Sequence, residues 1–346
     1  MVWALTSFLL EVPSGVLADK YSRKNILFFA EIIRVIGYSF WLFMPNFVGF
    51  LIGFILWGIK SAFTSGTFES LVYDELKANG EEAKYVKING IIQSLGYFAF
   101  IFAGLGSSLT IGRGYGFVLV LSIAALLISS LSIFLLPSAK KSESTGETRY
   151  FSLLKEGIRH AVRIPEIFKL IIFISLGQAL FGALDEYWSI FASGTGLPLQ
   201  GIGIFFVIYG LVQALASLIA YQFETLNIKV LEFLFFLNGV LLIVAATYYK
   251  IPALLLLFVF SFIFKLIDTV SNSRLQHEII NHEVRATVTS VKGFFVELAV
   301  IGLYFTFGLM AKYSNYRQAF IYIGIIVSII GLGYLILNNK ESVPAK

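Results

Sequence analysis

Apolar stretches of about twenty residues recur along the whole chain, and no other feature constrains the fold as much. Each is long enough to cross a hydrocarbon core of about 30 Å as a helix. They read as 1–18, 25–44, 47–70, 86–109, 115–136, 167–192, 198–221, 229–248, 251–272, 287–310 and 316–337, eleven in all. The stretches are continuously apolar. A membrane barrel would instead show alternation in strands of about ten residues. A helix satisfies its own backbone hydrogen bonds inside lipid, so the expected fold class is all-α, a polytopic membrane protein with eleven transmembrane helices. Composition agrees, because 58% apolar and 14% charged residues leave more apolar surface than a water-soluble chain of 346 residues can bury. The chain has no cysteine, which excludes disulfides, thiol catalysis and cysteine-ligated metals.

One long polar interruption, 137–165, divides these stretches into five and six. It opens as a Ser/Lys/Glu/Thr linker. Phe151, Leu154, Ile158 and Val162 then recur at helical spacing opposite Lys155, Arg159 and Arg163, the pattern of a short amphipathic helix on a membrane surface. The expected organisation is an N-terminal helical bundle over 1–136, a cytoplasmic linker over 137–165 and a C-terminal bundle over 166–346.

Basic residues set the orientation. Lys20, Arg23, Lys24, Lys77, Lys84, Lys87, Lys229, Arg274, Arg285, Lys340 and Lys346 share one face with the seven bases in and beside the central linker, eighteen in total. Only Arg113, Lys250, Lys312 and Arg317 lie on the other face. By the positive-inside rule the basic face is cytoplasmic, so the net charge of +5 reflects topology and calls for no nucleic acid. The C-terminus is then inside and Met1 outside. One more helix before Met1 would give six plus six spans, so a first helix is expected to be missing from this chain.

Between the first two spans the chain reads Gly15-Val16-Leu17-Ala18-Asp19-Lys20-Tyr21-Ser22-Arg23-Lys24. This resembles the signature loop of the major facilitator superfamily, G-x-L-A-D-[RK]-x-G-[RK]-[RK], with Ser22 in place of the usual glycine. The resemblance implies two helical bundles about a central cavity and transport by alternating access. It also implies that Asp19 helps latch the halves in the outward-facing state, with Gly15, Lys20, Arg23 and Lys24 completing the gating loop. These bases are expected to pair with Asp19, with acids of the other half, or with anionic lipid. A weaker second copy is expected at 220–229, where Ala220 and Glu224 keep the spacing and Lys229 is one residue late. The antiporter signature is matched only by the small residues of 103–108, without its proline.

Charges inside a bilayer cost at least about 2.5–3.5 kcal/mol each, so each marks a candidate site. The family's cavity helices correspond to the spans 47–70, 167–192 and 251–272. On these lie Lys60, roughly 20 Å along its span; the acid pair Asp185 and Glu186, followed by Tyr187 and Trp188; and Lys265 with Asp268, three apart on one helical face. The acid pair and its aromatic neighbours could hold a lipophilic cation, or the two rings could form an interfacial belt. Glu11, about 12 Å above the cytoplasmic edge and beside Pro13, suits either a proton carrier or a structural acid. Glu31 and Arg34 most simply neutralise each other. Lys292 and Glu297 are expected to meet the signature loop, and Glu69 and Asp74 to act as gate or capping acids. His277 and His282 lie too diffusely to predict a metal site.

No phosphate loop, H-E-x-x-H pair or G-x-S-x-G elbow is present, so an ATP-driven pump and the common hydrolases are not expected. No cofactor is expected. The sequence reading is a monomeric secondary transporter of the cell membrane, in contact with lipid and with protons as its coupling ion. Cavity spans rich in Phe, Tyr and Trp favour export of amphipathic drugs or metabolites as the small-molecule substrate. A proton-coupled importer of a small solute, and a transport-incompetent fragment or membrane interaction protein, are the alternatives.

Overall fold

The computed structural model describes residues 1–65, 67–81, 84–136, 164–223, 225–278 and 282–341, and among them there are helices and no strand. The expected amphipathic helix of the linker and Glu224 lie outside the described residues. In chain order the helices are α1 (Val2–Lys20), α2 (Arg23–Phe43), α3 (Phe47–Thr64), α4 (Thr67–Ala78), α5 (Tyr85–Thr110), α6 (Tyr115–Ile133), α7 (Pro165–Asp185), α8 (Trp188–Gly194), α9 (Leu199–Ile219), α10 (Ile228–Tyr248), α11 (Ala253–Glu278), α12 (His282–Tyr313) and α13 (Tyr316–Glu341). The all-α polytopic fold class therefore holds. Nine helices among the described residues are long and apolar enough to cross a membrane. The expected spans 1–18 and 86–109 are helical in α1 and α5 but fall outside these nine, and the apolar run within α5 is the shorter Phe98–Arg113.

Two expected spans are each divided. The stretch 47–70 ends as α3 at Thr64, where Ser65 leaves helical geometry at ψ 120°; in this last turn Thr64 Oγ1 donates back to the carbonyls of Lys60 and Ser61. α4 then begins a separate helix that carries Asp74. The stretch 167–192 breaks at Glu186 and Tyr187, between α7 and α8.

The chain divides into two compact units, Met1–Leu153 and Leu154–Lys346. In the first, α3 packs on α1 and α2, and α2 also packs on α6. Gly58 sits where α1 and α3 cross; a Cβ there would run into the Trp3 carbonyl and Thr6, so only glycine permits the approach. Beside it Trp3, Tyr38, Trp41, Phe54 and Trp57 form one continuous aromatic cluster from three helices.

In the second unit α10 lies along α13 over its length, and α7 contacts α11 and α12. Gly239 of α10 meets Gly324 and Ser328 of α13 so closely that a side chain would force the two helices apart. The core gathers Trp188, Phe191, Phe307 and Phe320, all wholly or nearly wholly buried. Arg317 closes one end: its guanidinium donates to the carbonyls of Ala246 and Thr247 at 2.9 and 2.5 Å, satisfying the last turn of α10 and complementing its dipole. Elsewhere large apolar side chains face outward, Leu109 at 85% exposure among them, as lipid-facing surfaces require.

Candidate functional site

α1 runs unbroken through Gly15 to Lys20, Tyr21 turns extended, and Ser22, also extended, precedes α2 as its N-cap. The signature segment is thus a two-residue corner between two helices. The side chains of Glu11, Asp19 and Lys20 and the surroundings of Gly15 lie outside what is described, as do the side chains of Glu69, His277 and His282. The two remaining bases have definite partners in their own unit. Arg23 forms an ion pair with Asp74 of α4 and donates to the Ser70 carbonyl at 3.3 Å. Lys24 donates to the carbonyls of Phe134 and Leu136, both at 2.7 Å, where α6 ends. Both bases therefore tie the start of α2 to neighbouring helices. Arg23 thus meets an acid of its own unit, and Lys24 meets the carbonyls at a helix C-terminus.

Deeper in this unit Glu31 and Arg34 do not pair. Glu31 instead meets Lys60 of α3 at 3.4 Å, with both side chains largely covered. Arg34 lies over the rings of Trp57 and Tyr38, at 5.1 and 5.5 Å. The reason is tertiary: α3 brings a flexible ammonium to the carboxylate and an indole face to the planar guanidinium, which suits each group better.

In the second unit Asp185 accepts the Tyr209 hydroxyl at 2.5 Å, and Tyr209 accepts the Trp188 indole N–H at 2.8 Å. Asp185 ends α7, Trp188 starts α8 and Tyr209 lies in α9, so the chain of bonds spans the helix break. Trp188 is fully buried, stacked on Phe320 and edge-on to Phe191 and Phe260. Its ring faces are occupied, so it forms neither an interfacial belt nor a wall for a cation. Tyr187 packs against Phe307 at 4.1 Å, and Glu186 beside it is exposed.

Lys265 pairs with Asp268 at 3.3 Å. The same carboxylate accepts from Gln178 of α7 at 2.7 Å and from Asn272 at 2.8 Å. Asn272 in turn accepts the Lys292 ammonium of α12 at 2.8 Å. Lys292, expected at the signature loop, is held within its own unit. Gln178, Tyr209 and Asn272 are polar members of these networks that sequence reasoning missed. One signal was available: Lys60 and Lys265 each precede a threonine by four, thirteen and twelve residues on from their helix starts. Thr64 and Thr269 each donate to the carbonyl of that lysine, at 3.0 and 2.9 Å, so the two units repeat one local device.

A sequence profile described as Major Facilitator Superfamily matches residues 1–291. The chain belongs to the major facilitator superfamily. The family is one of transporters and not of enzymes. Among curated proteins the chain is similar to an uncharacterized MFS-type transporter, YxaM, of Bacillus subtilis (strain 168), at 24% identity over 229 residues. The match covers 64% of this chain and 56% of that protein, so the chain spans little more than half the length of this relative. Among solved structures it is similar to a mutant of the nucleoside transporter NupG, with a TM-score of 0.77 and 15% identity over 96% of this chain and 89% of that one. It is also similar to a bacterial homolog of the human lysosomal transporter Spinster in an inward-facing, unoccupied conformation. There the TM-score is 0.66 and the identity 16%, over 97% of this chain and 87% of that one. These likenesses carry the fold.

Proposed function

We propose that this major facilitator superfamily member is a proton-coupled secondary transporter that exports amphipathic drugs or metabolites by alternating access. The observation that carries this reading is the state of the charges on the helices matching the family's cavity helices. Lys60 meets Glu31 of α2, Asp185 accepts from Tyr209 of α9, and Asp268 is shared by Gln178 of α7 with Lys265 and Asn272 of its own helix, so each charge has a partner on a neighbouring helix that it can exchange. A carboxylate held this way weakens its hold on the donor as it takes up a proton and regains it on release, and that difference biases a two-state equilibrium. Asp19, at the corner between α1 and α2, is the gating acid in this reading, and Arg23 with Asp74 supports the same corner. Aromatic-rich spans favour an amphipathic substrate. The protein acts as a monomer in the cell membrane with its C-terminus in the cytoplasm, as the eighteen-to-four distribution of bases directs.

The test is efflux of a fluorescent amphipathic dye from energised cells expressing the chain. The reading expects efflux above the control that a protonophore abolishes, and Asp19→Asn lowering turnover more than dye binding. Dye accumulation in place of efflux would favour the importer. Efflux unchanged in Asp19→Asn would remove the gate assignment.

A further inference from the structure

We propose that the polar cluster where α7, α11 and α12 meet binds the negatively charged head of an amphipathic organic anion. This names the substrate class of the transporter described above and rests on that reading.

The argument starts from an inventory of charge and donors. Asp268 is matched by the Lys265 ammonium at Oδ2, and its Oδ1 accepts from the amides of Gln178 and Asn272. That leaves Lys292. Its ammonium has three N–H donors, and the acceptor it meets among the described residues is the Asn272 amide oxygen, which carries no charge. The cluster therefore holds two ammonium groups around one carboxylate. An unmatched positive charge within a span is unfavourable unless a counter-ion comes to it.

The geometry prepares that charge for a ligand. Asn272 donates to both the carbonyl and the carboxylate of Asp268, at 2.8 Å each, which fixes its amide with the oxygen toward Lys292. Among the described residues the ammonium is thus positioned without being neutralised. Location matters as much as charge. On α11 the residues Phe262, Lys265, Thr269 and Asn272 recur at helical spacing and are only half-buried, whereas Phe264, Ile267, Ser271 and Leu275 on the other side are buried. The cluster lies on the less covered face of the helix and not in the core. Phe295, three residues on from Lys292 and so on its side of α12, is half-buried and edge-on to Phe168 of α7, and its remaining surface is aromatic cover for the body of the ligand. A compact oxyanion such as a carboxylate, attached to a flat apolar body, fits this set of groups; a cation does not.

Binding to the purified full chain in phosphatidylcholine nanodiscs tests the proposal, with naphthoate, its neutral amide and naphthyl trimethylammonium as probes. Naphthoate should bind about ten-fold or more tighter than the amide, the range of a charged hydrogen bond. Lys292→Gln, which still reaches Asn272, should erase that preference, and Lys292→Arg should keep it. Thermal unfolding of each variant establishes that it is folded. Equal binding of naphthoate and naphthamide, tighter binding of the cation, or an undiminished preference in folded Lys292→Gln would overturn the proposal. Loss of naphthoate binding when phosphatidylglycerol is added would assign the site to a lipid headgroup and overturn it as well. Dye efflux without any naphthoate preference would sink this inference alone; the preference without efflux would sink the transporter reading alone.

Discussion

Asp185→Asn lowers proton-driven efflux by about ten-fold or more while the protein stays folded. The expected size is that of a coupling free energy of about 1–3 kcal/mol between two sites. Asn keeps an oxygen where the Tyr209 hydroxyl donates at 2.5 Å, so the bond that joins α9 to the break between α7 and α8 survives. What Asn cannot do is exchange a proton. A role confined to packing would therefore leave transport near the wild-type rate. Tyr209→Phe is the complementary variant: the acid remains titratable but loses its donor, and the Trp188 N–H loses its acceptor. That variant should lose both stability and rate, and comparing the two separates the proton from the hydrogen bond. Efflux rates in cells, set beside thermal unfolding of the purified variants, provide the measurement.

The second large effect concerns stability. Glu31→Gln or Lys60→Met alone removes one half of a largely covered ion pair and leaves the other charge without its partner, at a cost of about 3–5 kcal/mol. The double replacement removes both charges and should recover most of that loss. Arg34 sharpens the test, because its guanidinium already rests on Trp57 and Tyr38 and would have to leave that surface to rescue Glu31. Thermal unfolding of the four proteins in detergent closes the cycle. Additive losses in the double variant would show that the pair contributes nothing as a pair.

What was legible in the sequence follows the range of the interaction involved. Lys265 and Asp268 are three apart on one helix, so helical spacing alone brings them together. The helices themselves are equally local, because a continuous apolar run of twenty residues has one solution in lipid. Glu31 and Arg34 satisfy the same spacing rule and still do not pair, since the deciding partners, Lys60 and Trp57, arrive with α3. Trp188 fails for a related reason. Hydropathy places it near the end of a span, where an aromatic belt is the natural reading, but does not reveal the break after Asp185 that turns it into the core. Tyr209 and Gln178 sit inside apolar runs and Asn272 ends one, and nothing in composition separates a bonded polar side chain there from an incidental one. The repeated lysine–threonine pair of α3 and α11 was visible in the sequence, but the bond from each threonine to the lysine's carbonyl appears only in the structure.

The most direct test of proton-coupled export is transport of the amphipathic dye by the purified full chain in proteoliposomes, with a pH gradient imposed and the electrical potential clamped. The account predicts that the gradient alone drives dye movement against its own concentration, that reversing the gradient reverses the movement, and that a protonophore stops it. Dye movement at the same rate with and without the gradient, or none under either condition, would contradict it.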